Sequence, residues 1–175
     1  AEKLRTSGEL AQARAICEKL TAKHPDYMMA LHTLGLICAD MRDYPQALGC
    51  LIRAIMLNPR HWQAYTALSG VYLAMGALEI AAQTLEQAAK INPEDAGIFT
   101  TLGEIYRNQR EYELAAEAFR KALLLDRAQW AAEIGLADCC VQLGEFAAAA
   151  AAARNVVKQR PHSIRPFYLL TSLPA

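Results

Sequence analysis

The sequence predicts an all-α solenoid, a row of antiparallel helical hairpins stacked one on the next. Three observations predict it: a period of 34 residues along the whole chain, apolar residues at helical spacing inside each period, and prolines that recur at that period at the expected helix ends, with Arg127 at the one skipped position. Pro25, Pro59 and Pro93 stand 34 residues apart, and Pro161 lies two periods beyond Pro93. The same step carries Leu34 to Leu68, Leu102, Leu136 and Leu170, and Ala13 to Ala47, Ala81, Ala115 and Ala149. A small residue recurs at Gly35, Ser69, Gly103 and Ala137, and a large apolar one at Leu10, Tyr44, Leu78, Tyr112 and Phe146.

Each period reads as two helices of about 14 residues, about 20 Å long. Tyr65, Leu68, Ser69 and Tyr72 make one helical face, and Ala81, Leu85 and Ala88 a second. Gly76 sits where the first helix ends, and Pro59 and Pro93 close second helices, because the residue before proline is pushed out of the α region. The small column lets two backbones approach, with Leu51, Leu85 or Phe119 filling the adjacent gap. A lone hairpin cannot bury its apolar face, so neighbours must stack.

The register divides the 175 residues into a partial unit at 1–27, full units at 28–61, 62–95, 96–129 and 130–163, and a partial helix at 164–175. In the first, Ala1 to Ser7 reads as the end of a first helix. The unit from Trp130 to Ser163 reads as the weakest, with Cys140 in the tyrosine column and Ala153 in the column of Leu51, Leu85 and Phe119.

Composition narrows the function. Eighteen basic and eighteen acidic residues cancel, which favours neither nucleic acid nor an anionic membrane as partner. No stretch is apolar for long enough to span a bilayer. No basic segment leads into an apolar one as in a signal peptide. Five cysteines without paired spacing point to a reducing compartment, the cytoplasm. The chain begins with Ala, which marks it as a fragment or a processed product.

No catalytic constellation and no cofactor motif stand out. Ser69–Gly70 lies in a helical pattern and is no nucleophile elbow. His24, His61 and His162 adjoin the turns and read as solvated, whereas His32 lies on a first helix. No histidine pair has the i, i+4 spacing of a helical zinc site. Cys17, Cys38 and Cys140 fall in core columns, Cys50 falls one step off, and the adjacent Cys139 and Cys140 diverge by about 100°. Trp62 and Trp130 begin their units and read as packing against the turns, as Tyr72 and Tyr106 do against the core.

The period, the small and alanine columns, Tyr72 and Tyr106 and the closing prolines together resemble the tetratricopeptide repeat, over essentially the whole chain. That resemblance implies a right-handed superhelix whose first helices line a concave groove, and a protein–protein interaction module rather than an enzyme. The non-core residues of those helices are then the expected binding face. They are Met29, His32, Thr33, Leu36 and Asp40, then Gln63, Thr66, Ala67, Gly70 and Leu73. The next units supply Thr100, Thr101, Glu104, Arg107 and Asn108, then Ile134, Asp138 and Gln142.

The first two full units lack the basic clamp for a terminal carboxylate. The column of the asparagine ladder, as in the O-linked sugar transferases, reads Thr33, Ala67, Thr101 and Gly135. Met29, Leu36 and Leu73 suit an amphipathic helix or short apolar motif. The opening GELAQARAICEKLTAKHPDYMMALHTLGLICADMRDYPQALGCLIRAIMLNP also resembles repeat arrays that precede glycosyltransferase or sulfotransferase domains in bacterial proteins. This implies a second reading, the substrate-recruiting arm of a larger transferase. Open solenoid ends give a third, a self-assembling scaffold.

Overall fold

The structure, a computed structural model, describes residues 9–159. The expected helix at Ala1–Ser7 and the partial helix at 164–175, with His162, lie outside the described residues. Nine α-helices and no strands make up what is described: α1 (Leu10–Lys23), α2 (Met28–Asp40), α3 (Tyr44–Leu57), α4 (Trp62–Ala74), α5 (Leu78–Ile91), α6 (Ala96–Asn108), α7 (Tyr112–Leu125), α8 (Trp130–Gln142) and α9 (Phe146–Gln159). The first helix of each hairpin has 13 residues and the second 14, as the period requires. The chain divides into two compact units, Ala1–Asn92 and Pro93–Ala175.

In the first unit α1 packs on α2, α2 on α3, α3 on α4 and α4 on α5, with α2 also touching α4. Its core joins Ala13 and Cys17 of α1 to Leu34, Ile37 and Cys38 of α2, Ala47 and Leu51 of α3, and Leu68 and Val71 of α4. The small column does what its spacing predicts. A Cβ on Gly35 would stand 2.6 Å from Cγ of Leu51, so a larger residue there would force that leucine to shift. Where the column carries Ser69, its buried hydroxyl donates to the Ala81 carbonyl at 2.8 Å, which satisfies the polar atom and ties α4 to α5. Arg14 joins α1 to the start of α3, pairing with Asp43 at 3.1 Å and donating to the Gln46 side chain. Asp43 caps α3 by accepting from the Gln46 amide.

In the second unit the packed pairs are α6 with α7, α7 with α8, α8 with α9, and α6 with α8. Asp95 caps α6, accepting from the Gly97 and Ile98 amides. Phe119 is fully buried, with its ring against both Gly103 and Gly135. Ala149, Ala152, Ala153 and Val156 form the buried side of α9.

The turn inside each hairpin repeats as strictly as the helices. Arg42, Gly76, Arg110 and Gly144 stand 34 residues apart and all have positive φ, at 61°, 78°, 65° and 77°. At each turn this residue's amide donates to a carbonyl three residues back. The next amide reaches five back, as from Asp43 to Cys38 at 2.8 Å and from Ala77 to Tyr72 at 2.9 Å. This is the Schellman closure of a helix C-terminus, which prefers glycine at the left-handed position.

Candidate functional site

The expected face is described separately in the two units. In the first, on α2, Met29 is 46% exposed and Asp40 is exposed, while His32, Thr33 and Leu36 are half-buried. On α4, Gln63 and Gly70 are exposed, and Thr66, Ala67 and Leu73 half-buried. The Thr66 hydroxyl donates to the Gln63 carbonyl at 2.8 Å, so it offers little to a ligand.

In the second unit Glu104, Asn108 and Gln142 are exposed and Thr101 is half-buried. Thr100 and Ile134 depart from the expectation. Both are buried, and the Thr100 hydroxyl is spent on the Ala96 carbonyl. The first helices α6 and α8 pack directly on each other, which narrows the strip of side chains left open. Arg107 and Asp138, one on each of these helices, form an ion pair at 2.6 Å, with their side chains 26% and 18% exposed. With Tyr112, Val141 and Gln142 they line a cavity of about 270 Å³. Sequence reasoning placed Arg107, Asp138 and Gln142 on this face but missed Tyr112 and Val141. The sequence signal is their position at the turn end of the hairpins.

His61 also departs from the expectation of a solvated turn residue. It meets His32 edge to face, ring centroids 4.8 Å apart at 87°, and its Nε2 is buried with no hydrogen-bond partner. Burial holds its imidazole below the usual histidine range. Burial raises the thiols as well, Cys38 and Cys139 to about 11, and Cys50 and Cys140 also upward. All five cysteines are free, and Cys139 is buried although it lies outside the core columns. No three His, Cys, Asp or Glu side chains among the described residues converge as a metal site. No helix among them is long and apolar enough to cross a membrane.

A tetratricopeptide repeat profile matches residues 32–96 and 100–164. The chain belongs to the tetratricopeptide repeat family. The repeat hairpins match solved tetratricopeptide structures at low identity, which shows a shared fold. The structure of MamA from Desulfovibrio magneticus RS-1 is 22% identical, with TM-score 0.82, over 93% of this chain and 92% of that one. PilF from Pseudomonas aeruginosa is 21% identical, with TM-score 0.84, over 95% and 76%. YrrB, described as a tetratricopeptide repeat protein with an unusual peptide-binding site, is 19% identical, with TM-score 0.79, over 88% and 79%. No curated protein matches the chain in sequence.

Proposed function

We propose that this tetratricopeptide repeat chain is a protein-interaction module that takes a short apolar motif or amphipathic helix of a partner on its first-helix faces. The observation that carries the reading is the set of apolar side chains left outside the core on α2 and α4. Met29 is 46% exposed and Leu36 and Leu73 are half-buried, on helices that also expose Gln63 and Gly70. Apolar surface kept in contact with water marks a contact site when it clusters on one face. The peptide-binding site in the name of YrrB, a protein of the same fold, supports the same use of the scaffold. The chain's role is then to bind rather than to transform. Five free thiols, four of them buried, suit the cytoplasm.

The test is Leu36→Glu. A pull-down identifies the partner, and its binding segment is titrated against wild type and variant. We expect a loss on the order of tenfold or more, as for residues near the centre of a contact. The thermal melt should stay unchanged, because Leu36 lies outside the Leu34–Ile37–Cys38 core. Equal affinity in a folded variant would reject the α2–α4 face as the site.

A further inference from the structure

The cavity of the second unit has a chemistry of its own. It is lined by Tyr112, Val141 and Gln142 together with the Arg107–Asp138 pair. At about 270 Å³ it lies just under the usual range for ligand pockets, about 300 to 1,000 Å³, and is sized for one side chain rather than a length of peptide. Its polar groups are fixed by each other. Arg107 Nη1 donates to Asp138 Oδ2 at 2.6 Å, which holds a guanidinium edge and a carboxylate edge side by side at the cavity wall.

Each ligand charge meets a conflict there. A carboxylate would find Arg107 but press against Asp138, and an ammonium would find Asp138 but press against Arg107. An aliphatic side chain would strip water from both ions and return no hydrogen bond, which is costly for half-buried charges. A primary amide resolves all three conflicts. Its carbonyl accepts from a guanidinium with five N–H donors, and its NH₂ donates to a carboxylate with lone pairs for several donors. The Gln142 amide supplies a further donor and acceptor, and Val141 and Tyr112 take the methylene carbons.

We propose that this cavity recognises the carboxamide side chain of an asparagine or glutamine in a bound peptide. The proposal rests on the peptide-binding reading above and gives the second unit its specificity, where Met29, Leu36 and Leu73 of the first unit select apolar residues.

The probes are capped tripeptides of alanine flanking one variable residue: Gln, Asn, Glu, Lys or Leu. Each is titrated into the full ¹⁵N-labelled chain, with the backbone amides of Val141 and Gln142 as reporters. The Gln or Asn peptide should give saturable shifts there and bind about tenfold more tightly than the Glu, Lys and Leu peptides, as sites built around hydrogen bonds discriminate. Asp138→Asn leaves the Arg107 charge unopposed, so the preference should move to Glu. Arg107→Gln removes the cation that faces Asp138, so the preference should move to Lys. Equal shifts for all five peptides would overturn the proposal, as would the Leu peptide binding best or shifts confined to residues elsewhere. Where a charge variant loses its dispersed spectrum, the wild-type ranking alone decides. The ranking is read in the second unit, so its outcome is independent of that at Leu36.

Discussion

The ring of Phe119 occupies the space that a side chain at Gly135 would need: a Cβ built there would stand 2.6 Å from Cε2 and 2.7 Å from Cε1. The same ring stands 2.6 Å from where a Cβ of Gly103 would be. One buried aromatic therefore relies on two glycines, one on α6 and one on α8.

Gly135→Ala should thus destabilise the second unit although alanine is the better helix former. Overpacking a rigid ring costs about 1–3 kcal/mol, against a helix-propensity gain of about 1 kcal/mol. Combining it with Phe119→Leu should recover part of the loss, since the leucine retreats from the new methyl. Denaturant melts of the two single variants and the double variant measure this, and additive losses would contradict the packing argument.

The two arginines at left-handed turn positions should be improvable. Arg42→Gly and Arg110→Gly remove the strain of φ near 61° and 65°. We expect each to stabilise by about 0.5–1 kcal/mol after the greater unfolded-state freedom of glycine is offset. Gly76→Arg should cost a similar amount. Thermal melts decide it.

Thiol labelling should be slow and uneven. With thiol pKa values of about 11 at Cys38 and Cys139, only about one thiol in a thousand is ionised at pH 8. Cys50, half-buried where the other four are buried, should label first. Rapid native-state modification at all five would contradict the burial.

Stability should fall on mild acidification. The His61 pKa is depressed in the folded state, so the unfolded chain takes up this proton first as pH drops. Its contribution is complete above the unfolded value, about 6.5, and is lost as pH falls from there toward the folded value. His61→Gln should flatten that part of the pH–Tm curve, because it removes the buried imidazole whose charging the fold disfavours.

Amides of α9 should exchange faster than those of α5. Both helices bury one side, but Ala153 stands where α5 has Leu85. Where the lost volume is not refilled, such a replacement costs about 2–5 kcal/mol. Slower exchange in α9 would contradict this.

The hairpin order, the helix ends and the core columns were legible because each follows from one periodic rule applied to single residues. Leu34, Leu51, Leu68 and Phe119 are core for the reason their spacing gave. What was not legible depends on pairs. Gly135 was read as a missing ladder residue, yet its packing role is to make room for Phe119, and Ala67 packs against the core that holds Leu51 in the preceding repeat. Reading the two columns together as volumes would have revealed it. Thr100 and Ile134 were assigned by register alone, and register does not say how closely α6 and α8 approach. The Arg107–Asp138 pair joins residues 31 apart, a contact that only the stacking creates.

The four hairpin turns close with the same hydrogen bonds whether the left-handed residue is arginine or glycine. Geometry there is inherited from the helix end and not from the side chain. A gene encoding this chain can therefore lengthen or shorten by one period at any of these turns, and each new junction is born with its cap already formed. Such junctions are natural recombination seams, along which hairpins with different exposed faces can be traded to change what is bound without redesigning the fold.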